Sequence, residues 1–263
     1  MAWFWRGLRE GVVTTKYPRR ADDYAEQFPA AVSVRTHAPA LARGEADALC
    51  PTGAITTDEP SRVTRLDRGR CILCRRCVEA RPDVFVQAHG TNTASMGRTP
   101  LVVPAVEETG GALDEVRCSL AARTARFRRS LHIRHVDAGS DGSEEWEIAA
   151  LTNPVYDIHR LGMCFTASPR HADVLLVTGA GTRGMARPLD RTLESTARPV
   201  IVIAVGTDAC SGGMYADSYA THGGIGALAD VDIWVPGSPP SPFSILHALL
   251  LAAGKLPREA ISP

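Results

Sequence analysis

Three cysteines at a spacing of three, in the run Cys71-Ile-Leu-Cys74-Arg-Arg-Cys77, and a fourth followed by proline, Cys50-Pro51, are the residues of this chain best suited to chemistry. Thiolates in this order ligate iron. In a repeated C-x2-C-x2-C-x3-C-P motif, the first three cysteines hold one cluster and the cysteine before proline serves the other. Cys50 stands as the fourth cysteine of a first motif whose other positions, counted back, are Ala40, Arg43 and Ala46. The second motif's own fourth position is Arg81, followed by Pro82. The four surviving cysteines therefore make one complete ligand set, for one 4Fe–4S cluster, and the missing four make the other. Random loss would not sort the two sets this way. The plainer readings are a zinc site or unrelated thiols. Zinc sites usually repeat two C-x-x-C pairs rather than C-x-x-C-x-x-C with a distant C-P.

The elements that must carry these residues divide the 263-residue chain. Residues 1–28 read as an amphipathic docking segment for a membrane or a partner. Phe4, Leu8 and Val12 are placed on one helical face with Trp5 beside them, and Arg6, Arg9 and Glu10 opposite. Residues 29–92 hold the cysteines. Residues 93–130 read as a linker, with breakers at Gly90-Thr-Asn-Thr and Glu107-Glu-Thr-Gly-Gly111. Residues 131–263 alternate strands and helices. Strands are expected at Leu131–Val136, Ala172–Thr178, Pro199–Val205 and Val231–Val235, and helices at Glu144–Leu151, Pro188–Ser195 and about Pro242 to Ala253. Near-continuous Val/Ile runs require cover on both faces, so the sheet is expected to be parallel and the fold α/β.

Lys plus Arg, 29, equals Asp plus Glu, 29, which gives no global pull toward nucleic acid. Arg117, Arg123, Arg126, Arg128, Arg129 and Arg134 crowd one short segment suited to an acidic partner, to lipid headgroups or simply to water. Thiolate clusters need a reducing compartment, which implies the cytoplasmic side. No secretory signal and no membrane-spanning run is read.

In open α/β sheets, ligands sit off the carboxyl ends of the strands. Those ends are Asp137–Glu144, Gly179–Arg183, Gly206–Gly213 and Pro236–Pro240. Gly179-x-Gly181-x-x-Gly184 matches a dinucleotide fingerprint on its face, but without a following acidic partner the match is weak. His132 and His135, three apart on a strand, are placed on opposite faces, which argues against a shared metal.

Longer words carry a family resemblance. Leu131-His-Ile-Arg-His-Val-Asp-Ala-Gly-Ser140, Asn153-Pro-Val-Tyr-Asp157, Thr166-Ala-Ser-Pro-Arg170, Ala172-Asp-Val174 and Val235-Pro-Gly-Ser-Pro-Pro240 resemble the small subunit of energy-converting nickel–iron hydrogenases and the twenty-kilodalton subunit of complex I. The N-terminal part, including Gly11-Val-Val-Thr-Thr-Lys-Tyr-Pro18, is similar to the ferredoxin-like subunit of the same complexes. The resemblance implies a fusion of two neighbouring subunits: a ferredoxin-like α+β module followed by a flavodoxin-like parallel-sheet domain. It also implies a large catalytic-type subunit and integral membrane subunits as partners, and a peripheral place on the cytoplasmic side of the membrane. The function it implies is that of an iron–sulfur electron-transfer subunit of a hydrogenase-like, formate hydrogenlyase-like or complex I-like oxidoreductase, itself non-catalytic. The alternative is a structural or regulatory scaffold of such a complex.

The departure from the family is as informative. The family's terminal cluster cysteines fall on Asp141, Glu144, Asp208 and Ser238, all oxygen residues, with Glu147 completing the acidic run; Cys210 is off the ligand positions. Hard oxygens do not replace thiolates on an iron–sulfur cluster, so the terminal cluster is expected to be absent. Arg170 and Arg183 are the expected partners of the clustered carboxylates, ahead of a Mg²⁺ or Ca²⁺ site or acid–base work.

Overall fold

The computed structural model describes residues 2–20, 22, 27–58, 61–104, 118–123, 125 and 130–256. The breakers at 107–111 and Arg117, Arg126, Arg128 and Arg129 of the basic segment lie outside the described residues. Helix α1 spans Ala2–Glu10, one residue short of Gly11, whose φ of +67° turns the chain away. Val12 therefore lies beyond the helical face on which the sequence places it.

Two small antiparallel sheets surround the cysteines. Strand β1 (Pro29–Val34) pairs with β4 (Phe85–His89). Strand β2 (Ile55–Asp58) pairs with β3 (Val63–Asp67), which also pairs with β5 (Val102–Val103) inside the stretch read as a linker. Helices α2 (Arg43–Leu49) and α3 (Arg76–Ala80) complete this part. Its core gathers Val32, Leu41, Ile55, Leu66, Val84 and Phe85, with Cys50, Cys71 and Leu73 packed against it.

The second part is a five-stranded, all-parallel sheet: β6 (Leu131–Asp137), β7 (Met163–Phe165), β8 (Val174–Thr178), β9 (Ile201–Val205) and β10 (Ile233–Val235), in the order β10-β9-β8-β6-β7. Counted within the sheet, this is the doubly wound order 2-1-3-4-5. Strands β8 and β9 are buried at every residue, as their Val/Ile runs require. Alternate side chains feed two separate cores: Val174 and Leu176 face one side of the sheet, Leu175 and Val177 the other.

Helix α4 (Ser143–Ala150) follows β6, and α5 (Arg183–Ser195) follows β8. Helix α5 starts five residues before the expected Pro188, which sits inside the helix. The proline removes one helical N–H, but the helix already has a turn behind it, opened by Met185 and Ala186 N–H bonds to the Thr182 carbonyl. The short α6 (Thr207–Ser211) follows β9. Helix α7 (Pro242–Ala252) is buried all round, as an apolar helix must be. Its Ser241 cap accepts the Ser244 N–H at 3.2 Å. Phe243 of α7 meets Tyr17, Phe28 and Tyr156 in T-shaped contacts, with centroids 5.9, 5.8 and 4.8 Å away. Burying a ring of this size contributes about 3 kcal/mol. It also ties the amino-terminal arm to the sheet domain, where the Thr15 N–H meets the Val155 carbonyl at 2.8 Å.

Candidate metal centre

Cys50, Cys71, Cys74 and Cys77 line one pocket with Val32, Leu49, Thr52, Ala54, Ile55, Leu66, Ile72 and Arg75. The backbone of the Cys71–Cys77 loop is wound tightly around it. Leu73 and Arg75 both adopt the left-handed conformation, with φ of 56° and 64°. Such conformations cost a non-glycine residue about 1 kcal/mol or more and concentrate at ligand clamps. The Ala54 N–H donates to Cys50 Sγ at 3.2 Å, and the Thr52 hydroxyl lies 3.5 Å from the same sulfur. Backbone N–H groups of Leu73 and Val78 reach Cys71 and Cys77. Burial, joined by the other cysteines, pushes the Cys71 thiol up to about 12 and the Cys77 thiol up to about 11. Without a cation these thiols stay protonated near neutrality, so iron binding must displace protons.

Among the described residues, no group of three or more His, Cys, Asp or Glu converges tightly enough for a single metal ion. A four-iron cubane makes a different demand: each thiolate takes its own iron. An apolar pocket, four soft donors and N–H groups aimed at sulfur fit that group.

The positions of the missing ligand set have been put to other use. Arg81, where a fourth cysteine would stand, bonds Glu45 of α2 and also Asp83, at 2.8 Å. The hydrogen bond from Arg81 is the largest of the influences that hold the Asp83 carboxyl below its ordinary range. Ala46 is buried in the core.

The strand-end positions Asp141, Glu144, Asp208 and Ser238 are partly brought together. Glu144 is only 2% exposed, and its carboxylate lies so close to Gly206 that a Cβ there would come within 2.3 Å of Oε1. Burial first, then Asp208 and Asp141, push the Glu144 carboxyl up to about 7. Asp208 is raised by burial and by Asp141, and Glu147 by burial. Asp141 is exposed and held low by the Ser143 hydroxyl and N–H. Ser238 is exposed. Arg170 and Arg183 are both exposed, and no ion pair joins either to these carboxylates, contrary to expectation. Burial raises the Glu144 carboxyl where an arginine partner would have lowered it.

That has a pH consequence. The folded-state value lies above the ordinary 4.5. The neutral carboxyl's contribution is therefore complete below about pH 4.5 and is lost as pH rises through 7. Glu144→Gln should gain about 2 kcal/mol on the parent protein between pH 5 and pH 8, read from denaturant midpoints. An equal difference at both pH values would refute this.

The remaining sequence candidates separate. His132 Nδ1 contacts Asp173 Oδ2 at 3.2 Å, while His135 Nε2 lies 3.0 Å from Thr178 Oγ1 and 3.4 Å from Glu145 Oε1. They share no ligand. Gly179 of the glycine fingerprint packs on the Gly139–Ser140 backbone. Cys210 is buried, which raises its thiol to about 12.

Residues not singled out in the sequence join the two pockets. The Thr207 hydroxyl of α6, beside Asp208, donates to the Cys71 carbonyl at 3.0 Å, and its N–H donates to the Gly237 carbonyl at 2.7 Å. Arg98 forks onto Asp67 through two 2.6 Å bonds and stands 5.9 Å over the Trp234 ring of β10. These are tertiary contacts that carry no local sequence signal.

A doubly wound parallel sheet, joined to a smaller part whose pocket is lined by four cysteines, defines an α/β protein. Residues 142–252 match the family described as NADH ubiquinone oxidoreductase, 20 Kd subunit. Formate hydrogenlyase subunit 7 of Escherichia coli is 38% identical over 148 residues, covering 56% of this chain and 58% of that protein. The probable membrane-bound hydrogenase subunit mbhJ of Pyrococcus furiosus is 41% identical over 128 residues, covering 49% of this chain and 77% of that protein. The chloroplastic NAD(P)H-quinone oxidoreductase subunit K of Lotus japonicus is 41% identical over 114 residues, covering 43% of this chain and 50% of that protein. The chain thus spans 58% and 50% of the length of the first and third of these relatives. It belongs to the NADH ubiquinone oxidoreductase 20 Kd subunit family.

Proposed function

We propose that this chain is an iron–sulfur electron-transfer subunit of a membrane-associated, hydrogenase-like or complex I-like oxidoreductase. It holds one 4Fe–4S cluster on Cys50, Cys71, Cys74 and Cys77 and none at Asp141, Glu144, Asp208 and Ser238. The observation that carries the reading is the convergence of all four surviving motif cysteines on one pocket, with only oxygen donors at the family's terminal ligand positions. A cluster bound there would supply reversible one-electron transfer. The chain's own part is to hold the sulfurs, shield them from water and offer them N–H groups, which favours their anionic form. The pairing of β1 with β4 and β2 with β3 around the pocket supports a ferredoxin-like module fused ahead of the sheet domain. Purified protein should carry close to four irons per chain and a single paramagnetic centre on reduction. About eight irons, or two magnetically coupled centres, would overturn the assignment.

The strand-end face, with Trp146, Met214, Tyr215 and Tyr219 exposed on the elements around it, is the surface for a large catalytic-type subunit. Helix α1 is the contact with membrane subunits on the cytoplasmic side. Trp3 and Trp5 are 80% and 68% exposed there, and no described helix is long and apolar enough to cross a membrane. Trp3→Ser/Trp5→Ser should move the chain from the membrane pellet to the supernatant in cell fractionation while leaving its iron content unchanged. Retention in the pellet would count against α1 as the anchor.

A scaffold role is the second reading, favoured by the buried carboxyl at the vacated terminal position. It predicts a cluster that no partner of the complex reduces.

A further inference from the structure

Arg68 opens the 3₁₀ turn Arg68–Arg70, and its carbonyl accepts the Cys71 N–H at 3.2 Å. Its side chain turns inward rather than to solvent. Nη2 donates to Ser33 Oγ at 2.6 Å and Nε to the Val32 carbonyl at 3.4 Å, both neutral groups on β1. Neighbouring arginines are neutralised: Arg98 by Asp67, Arg81 by Glu45 and Asp83. Among the described residues, no carboxylate lies within ion-pair distance of Arg68. Val32 lines the same pocket as the four cysteines, so the guanidinium bonds to the backbone of that pocket's wall. Arg75 also lines the pocket, but it is exposed, so water screens it.

We infer that Arg68 sets the reduction potential of the centre held by Cys71, through an inward-facing guanidinium that no carboxylate among the described residues compensates. This rests on the proposed function, since it presupposes a cluster on the four cysteines. Reduction adds one electron, and so one unit of negative charge, to the cluster. A fixed positive charge in a medium of low dielectric favours that reduced form. No proton is required, because the guanidinium is charged in both redox states.

The test is a mediated redox titration of the full chain with dithionite, followed by electron paramagnetic resonance. Arg68→Gln should make the reduction equilibrium about tenfold less favourable, a midpoint lower by about 59 mV for one electron. Arg68→Lys keeps the charge and should stay within about threefold of the parent, as should Arg35→Gln, an exposed control outside the pocket whose side chain bonds the Pro82 carbonyl. Equal shifts in Arg68→Gln and Arg35→Gln, or no shift in Arg68→Gln, would overturn the inference. A parent protein without iron would instead sink the functional reading. If Arg68→Gln fails to load, Arg68→Met replaces it. Should both neutral variants stay empty while Arg68→Lys loads, the charge serves cluster assembly rather than its potential and the inference falls. Should Arg68→Lys also stay empty, Arg68 is only structural and the inference falls.

Discussion

Cys71→Ala should take the chain from about four irons to fewer than one, and abolish its brown absorption. The residue sits where the cost of loss is greatest. It lines the pocket, its N–H anchors the preceding turn at Arg68, and its carbonyl takes the Thr207 hydroxyl from the sheet domain. Removing the thiolate leaves three ligands for four irons and an open edge to solvent. Because metal-binding free energy is folding free energy for such a module, the lesion should spread. Cys71 and Cys77 belong to the same core as Phe85 and Leu66, so protease sensitivity should rise first around residues 50–80. Cys50→Ala should behave alike, since its sulfur accepts the Ala54 N–H inside the same pocket. The contrast is Cys210→Ala. That thiol is buried but lies outside the pocket, and its removal should leave the iron content unchanged. A brown, fully loaded Cys71→Ala protein would show that the four cysteines are not one ligand set.

The gathering of the four cysteines at one pocket was legible because ligand spacing is a local pattern in the chain. The parallel strands were legible for a similar reason: Leu175-Leu-Val177 and Val200-Ile-Val-Ile203 can only be covered on both faces. The small antiparallel strands were harder to see. Val63–Asp67 and Phe85–His89 are short and half-buried, and although the first pairs with the neighbouring Ile55–Asp58, it also pairs with the distant Val102–Val103, and the second with the distant Pro29–Val34. What became of the vacated ligand sites was not legible at all. By count, Ala42 and Gly44 correspond to Leu73 and Arg75. The latter pair is left-handed, whereas Ala42 is extended, with φ of −67°, and Gly44 lies inside α2. Helix α2 runs through the counted-back positions, and Arg81 reaches Glu45 of that helix. At the strand ends, Arg170 and Arg183 had the right charge and the right neighbourhood to pair Glu144. Yet exposed arginines keep their hydration, and burial raises a carboxyl that is 2% exposed. Such outcomes depend on desolvation, which no spacing rule encodes.

Gly179→Ala should destabilise the protein by about 4 kcal/mol, whereas Gly184→Ala should be neutral or stabilising by up to about 1 kcal/mol. Both glycines belong to the run that matches a nucleotide fingerprint, and a phosphate-cradling loop would need each of them for ligand approach. The structure assigns them different physics. Gly179 ends β8 with φ of +85°, and a Cβ there would stand 2.4 Å from the carbonyl carbon of Gly139 and from the Ser140 nitrogen. Backbone cannot yield as a side-chain tip can. The substitution therefore combines a left-handed alanine with overpacking between the ends of β6 and β8, where the strand order reverses. A loss of that size is a large part of the 5–15 kcal/mol that holds a typical domain together. It should also push apart the loop that carries Asp141 and the start of α4, and so expose Glu144. Gly184 lies in the first turn of α5 with nothing within 4 Å of its would-be Cβ, and alanine there improves helix propensity. Urea midpoints of the two variants decide the matter. Equal, small effects would mean that the β6–β8 junction is looser than these contacts require, whereas a large effect at Gly184 would reopen the case for a ligand at that loop.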